Sequence, residues 1–162
     1  MTGSGRFQVR AKEKDMKLKN GMILLVEDEP DDEALTLRAL QRNHVSNQIF
    51  VVRDGEEALD FLFARNDYSA RDPNDLPKLI LLDIKLPKMD GLEVLRQIRA
   101  NPGTRLLPVV ILTSSNEEQD LIEGYKSRVN SYIRKPVDFA QFVETIRELG
   151  RYWLGLNEEP PR

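Results

Sequence analysis

Three apolar runs and one short strand-like stretch in this chain each end on residues that could do chemistry. Met22 to Val26 leads into Glu27-Asp28-Glu29, and Leu79 to Leu82 leads into Asp83. The stretches at 107–112 and 129–134 deliver Thr113-Ser114-Ser115 and Lys135-Pro136. Carboxylates brought within several Å of one another repel unless a cation holds them. Without histidine or cysteine among them, their oxygens suit Mg²⁺ rather than zinc. A divalent ion, the Thr113 hydroxyl and the Lys135 ammonium around Asp83 would serve phosphoryl transfer onto that aspartate. The cations neutralise the phosphoryl oxygens while the carboxylate attacks in line. Taken singly, Asp83 and Thr113 merely close strands and Lys135 is a surface cation. The chemistry depends on elements that bring them together.

The runs at 22–26, 79–82 and 107–112 are continuous rather than alternating, as in parallel strands buried on both faces, and 129–134 reads as a short fifth strand. A further strand is expected over Gln48 to Arg53, ended by Asp54-Gly55. Helical patterns fall between the strands: 31–43 behind Pro30, a stretch with Ala58, Leu59, Leu62 and Phe63, then 90–100, 117–128, and a last helix capped by Asp138. Residues 65–78 read as a long loop. Five strands alternating with five helices predict a doubly wound α/β domain over 21–155. Residues 1–20 are expected to be a mobile extension and 156–162 a tail. In such a sheet the C-terminal ends of the first and central strands share one crevice, which would gather Glu27, Asp28 and Asp83.

Composition narrows the classes. The chain has 162 residues, 31% of them charged, yet a formal net charge of only -3, so no strongly basic face is available for nucleic acid. It has no cysteine, which removes thiolate metal sites and Cys nucleophiles, and its single histidine, His44, cannot build a His-based centre by itself. No apolar run approaches the length of a membrane span, and a cytoplasmic protein is expected.

With these residues in this order, the chain resembles the receiver domain of two-component response regulators over about 20–150. The residues that carry the likeness are Glu27-Asp28, Asp83 with Leu86-Pro87 and Asp90-Gly91, Thr113-Ser114, Tyr132, and Lys135-Pro136. The resemblance implies a flavodoxin-like five-stranded parallel sheet in the order 2-1-3-4-5. It also implies that Asp83 is the phosphoacceptor and that Lys135 grips the phosphate, in front of a cis bond to Pro136. Mg²⁺ would be bound by Asp28 and Asp83, by Glu27 through water and by the Lys85 carbonyl. Thr113 and Tyr132 would be the switch pair. Arg128 stands where the family usually has a helix-ending glycine, so Asn130 is expected to take the left-handed turn. Lys85, two positions past the acceptor, is expected to cover the phosphate.

No output domain is expected after Arg151, which suggests a stand-alone receiver phosphorylated by a sensor histidine kinase. The 65–78 loop and the 130–139 segment are similar to regulators paired with phytochrome-type kinases. Three other functions compete: a relay passing the phosphoryl group to another protein's histidine, a phosphate-independent adaptor, and an aspartate-nucleophile phosphatase. The last usually has a second Asp where Lys85 stands. A homodimer is expected through the fourth helix, fifth strand and fifth helix, using Tyr125, Tyr152 and Trp153.

Overall fold

The computed structural model describes residues 5–8 and 21–161. Strands β1 (Gly5–Gln8), β2 (Ile23–Val26), β3 (Gln48–Val52), β4 (Leu79–Leu82), β5 (Val109–Thr113) and β6 (Ser131–Arg134) form one sheet. Between them run α1 (Pro30–Arg42), α2 (Gly55–Phe63), α3 (Gly91–Ala100), α4 (Glu118–Lys126) and α5 (Phe139–Gly150). The parallel part has the order β3-β2-β4-β5-β6, which is the expected 2-1-3-4-5 arrangement.

The N-terminal stretch differs from its expectation as a mobile extension. Gly5–Gln8 pairs antiparallel with β3, Gly5 opposite Val51 and Gln8 opposite Gln48. The free edge of β3 offers unpaired N–H and C=O groups, and a four-residue strand can satisfy them without any apolar signature of its own. The remainder of 1–20 lies outside the described residues.

Alternate strand residues feed two cores. Leu24, Val26, Ile80, Leu82, Val109 and Ile111 face α2 and α3. Ile23, Leu25, Leu79, Leu81, Val110 and Leu112 face α1 and α5. This explains the continuous apolar runs, since both faces of the parallel strands are covered. The 65–78 loop is packed rather than free. A short 3-10 turn, Asn66–Tyr68, buries Tyr68, whose hydroxyl donates to Glu57 Oε2 at 2.6 Å. Arg71 lies over the Phe61 ring and donates to the Phe61 and Asp75 carbonyls.

Beyond α5 the chain continues through a wide π-type turn, Arg151–Leu156. Glu159 then returns to the sheet and pairs with Lys78 at 2.8 Å, although the Lys78 side chain is only 4% exposed. A buried ammonium needs such a partner, so the segment read as a tail is tied to the domain.

Three helices end on non-glycine residues in the left-handed region: His44 (φ 57), Ala64 (φ 55) and Arg128 (φ 64). The expectation that Asn130 would take the turn after α4 is corrected: Arg128 takes it. Arg128 N–H donates to the Tyr125 carbonyl and Val129 N–H to the Gly124 carbonyl, the paired bonds of a Schellman ending. Asn130 is committed elsewhere. Its Oδ1 accepts from Val109 N–H at 2.7 Å and from the Arg99 guanidinium at 2.9 Å. A side chain in the left-handed region is disfavoured, and glycine removes that cost. Arg128→Gly is therefore expected to raise stability by about 1 kcal/mol. Urea denaturation checks it, and a loss of stability would show that the Arg128 side chain matters more than its backbone.

Candidate functional site

Hydrogen bonds at the strand ends set the frame. Glu27 N–H donates to the Val52 carbonyl, Asp83 N–H to the Val26 carbonyl, and Lys135 N–H to the Thr113 carbonyl. The C-terminal ends of the parallel strands thus open side by side, as the switch-point argument expects. The Lys135 ammonium sits at the centre. It lies 2.6 Å from Glu27 Oε1, 3.3 Å from Asp83 Oδ2 and 3.4 Å from Asp32 Oδ2. The peptide bond to Pro136 is trans, because the described residues contain no cis bond, and this corrects the cis expectation.

The acidic cluster has one member that sequence reasoning did not place there. Oxygens of Glu27, Asp32 and Asp83 all lie within 4.8 Å of one another. Asp28 is exposed and is not part of that group. Asp32 belongs to the first turn of α1, where a favourable interaction with the helix dipole is already a sufficient local reason for an acid. The turn that starts at Pro30 carries it back over the strand ends. The sequence cannot reveal which of two neighbouring acids points inward. The donor set fits a hard divalent cation: three carboxylates, no sulfur, no imidazole.

Electrostatics follow from burial. Burial pushes the Glu27 carboxyl up from 4.5 to about 7, against the pull of Lys135, and Asp83 adds to the rise. Burial alone would lower the Lys135 pKa, but Asp83, Glu27 and Asp32 outweigh it and hold the ammonium above its usual value.

Two close approaches seat the loop after β4. Gly91 N–H donates to the Ile84 carbonyl at 2.8 Å, and a Cβ on Gly91 would lie 2.0 Å from the Asp83 carbonyl oxygen. A Cβ on Gly55 would lie 2.2 Å from the Met89 carbonyl oxygen. Only glycine lets α3 and α2 press this closely on the backbone that carries Asp83. Asp90 caps α3 by accepting from Glu93 N–H. Asp83 Oδ1 is held by Ile84 N–H at 2.7 Å, which leaves Oδ2 facing Lys135.

Thr113 is fully buried, and its Oγ1 accepts from Ser115 N–H at 3.2 Å. The Tyr132 ring packs against α4 where Gly124 leaves room. Its buried hydroxyl makes no hydrogen bond of good geometry; burial raises its pKa, Asp120 adds to the rise and Ser115 opposes it. The Lys85 side chain points away from the expected cover over the acceptor. Its Nζ lies 3.5 Å from both Glu117 Oε2 and Asp120 Oδ2.

The response regulator receiver domain model matches residues 23–147, a span that contains every residue of this site. The chain belongs to that family. The bacteriophytochrome response regulator RtBRR is 52% identical to this receiver, with a TM-score of 0.70 over 90% of this chain and 86% of that one. Rcp1 of Synechocystis sp. is 37% identical over 82% of this chain and 88% of its own. Its Mn²⁺-bound crystal structure, 35% identical, gives a TM-score of 0.79 over 87% of this receiver and 99% of that chain. FilR2 of Methanothrix harundinacea, described as a probable methanogenesis regulatory protein, is 42% identical over 86% of this chain and 87% of its own. Among the described residues, no helix of this receiver is long and apolar enough to cross a membrane.

The raised Glu27 carboxyl has a consequence for stability. The folded receiver binds that proton more tightly than the unfolded chain, so this group's contribution is fully present below about 4.5 and is lost as pH rises through about 7. In chelator, Glu27→Gln should flatten the decline between pH 5 and pH 8 by on the order of 1–2 kcal/mol. Parallel stability curves for the two proteins by urea denaturation would refute it.

Proposed function

We propose that this receiver is a response regulator that accepts a phosphoryl group on Asp83 from a sensor histidine kinase and signals through its own surface. The observation that carries the reading is the isolation of Asp83 Oδ2: its partner oxygen is tied to Ile84 N–H, while Oδ2 faces the Lys135 ammonium at 3.3 Å. In the transfer, the bond from phosphorus to the kinase imidazole breaks and a bond from phosphorus to Asp83 Oδ2 forms. The imidazole keeps the electron pair and takes up a proton. Lys135 already neutralises Asp83 and needs only a small shift to pair with a phosphoryl oxygen. Thr113 supplies a hydroxyl from the neighbouring strand end, and Tyr132 carries the change to the outer face as its switch partner.

A bound Mg²⁺ supplies charge neutralisation for the phosphoryl oxygens. Asp28 and Asp83 side chains, Glu27 through water and the Lys85 carbonyl are the residues assigned to hold it. Asp32 belongs beside them, because its carboxylate already faces the cluster. The chemistry acts only on the receiver itself, in the cytoplasm. Similarity to RtBRR, whose description names a bacteriophytochrome, favours a phytochrome-type kinase as donor. A relay role, passing the group on to a histidine of another protein, uses the same site.

Incubation with acetyl phosphate and Mg²⁺ should add one phosphoryl group to wild type and none to Asp83→Asn, read by intact-mass spectrometry. Modification that survives the substitution would move the acceptor elsewhere.

Assembly forms the second part of the reading: a two-fold homodimer through α4, β6 and α5. Tyr125 (54% exposed), Ile122 and Tyr152 offer apolar surface there. Trp153 supports the face only indirectly, since it packs half-buried against the α1–α5 core and edge-on to Tyr152. Sedimentation should show a wild-type dimer weakened at least about tenfold in Tyr125→Ala, a loss typical of an aromatic anchor. A wild-type monomer in both phosphorylation states would remove the interface.

A further inference from the structure

Asp120 is a carboxylate that the assigned chemistry does not use. It lies in the first turn of α4 with only 8% of its surface exposed, on a helix that otherwise buries little. A carboxylate this buried must be satisfied by its neighbours. Ser115 Oγ donates to Asp120 Oδ2 at 2.6 Å, and Lys85 Nζ lies 3.5 Å from the same oxygen. Ser115 in turn donates its N–H to Thr113 Oγ1 and accepts from Glu117 N–H at 3.2 Å. Asp120 therefore joins the residue two places after Asp83 to the loop that follows Thr113.

We infer that Asp120 is a positioning residue that withholds Lys85 from the phosphorylated Asp83 and so shortens the life of the acyl phosphate. The inference rests on Asp83 as acceptor. Lys85 is the cation nearest the acceptor in sequence, and its flexible stem can reach either the Asp120–Glu117 pair or a phosphoryl oxygen. While it pairs with Asp120, it leaves the phosphoryl group open to water in line with the bond that breaks. Hydrolysis then cleaves the bond from phosphorus to Asp83 Oδ2, water supplies the new oxygen, and inorganic phosphate leaves. The Ser115 bond adds a second restraint, because it holds the Thr113 loop on the α4 side. A purely structural role for Asp120, as an acid in the first turn of a helix, needs no lysine.

Asp120→Asn separates the two roles. The amide keeps an acceptor for Ser115 and the shape of the turn, but it loses the charge that attracts Lys85. Phosphoryl loss should slow about two- to fivefold, the scale of an exposed ion pair. The effect should vanish in the Lys85→Ala background. Glu117→Gln, at an exposed position that leaves folding undisturbed, should lengthen the lifetime by a smaller factor. In the unphosphorylated protein, the Lys85 side chain, followed by NMR relaxation of its ammonium group, should gain mobility in Asp120→Asn, because the charge it pairs with at 3.5 Å is lost. Unchanged Lys85 mobility overturns the inference whether or not Asp83 is the acceptor. So does an unchanged lifetime, or one lengthened equally without Lys85. If Asp83→Asn is phosphorylated as well as wild type, the acceptor reading itself falls, and intact-mass spectrometry identifies that failure separately.

Discussion

One buried ammonium holds the active end of this receiver together. Lys135 lies among three carboxylates on two strands and one helix, and each of its contacts is between 2.6 and 3.4 Å. Without it, Glu27 and Asp83 would meet in a crevice that water reaches poorly, where like charges repel strongly. The high carboxyl pKa of Glu27 shows that even with Lys135 present the balance is incomplete. A site left short of positive charge is a site that gains by taking up a divalent cation.

The second constraint is steric. Asp83 can act only if its backbone is fixed, and the fixing comes from two absent side chains. Gly91 lets the start of α3 rest on the Asp83 carbonyl, and Gly55 does the same for α2 on Met89. Between them Lys88 adopts φ 67 and pairs with Asp54 at 3.6 Å. The loop is thus gripped on one flank through Lys88 and on the other through Lys85, which reaches α4. The lysines that follow Asp83 act here as ties between loops as well as sources of charge.

These observations mark what a sequence can disclose. Strands β2, β4 and β5 were legible because burial on both faces forces unbroken apolar runs, and Asp83 and Thr113 were legible because they stand at the ends of those runs. Strand β6, with no buried residue, was placed chiefly by the Lys135-Pro136 that follows it. Side-chain direction was not. Glu27 and Asp28 are adjacent, and only the exit angle of β2 decides that Glu27 turns inward. Asp32 and Asp120 stand in the first turns of α1 and α4, where the helix dipole is a sufficient local explanation for each and hides the tertiary one. The turn at Arg128 was assigned to Asn130 because Asn tolerates φ > 0 well, but Asn130 was needed elsewhere. The β1 strand is too short to show alternation, and its partner is a sheet edge forty or more residues away in sequence.

Arg99 shows why Asn130 was not free. Its guanidinium is buried among neutral acceptors: it donates to the Arg128, Arg105 and Leu107 carbonyls and to Asn130 Oδ1. Burial lowers its pKa to about 10, and Arg128 adds to the fall, yet it remains charged at neutral pH. Charge-assisted bonds to carbonyls are stronger than neutral ones, so this one side chain fastens the end of α3 to the turn that leads into β6. Asn130 extends the bolt to Val109 at the start of β5. The entry to β6 is therefore fixed at its N-terminal end, far from Asp83, while its C-terminal end carries Lys135. Tyr132 lies between the two. One end of the strand is thus bolted and the other pairs with Asp83 through Lys135, while the Tyr132 ring packs where Gly124 leaves space for it on α4.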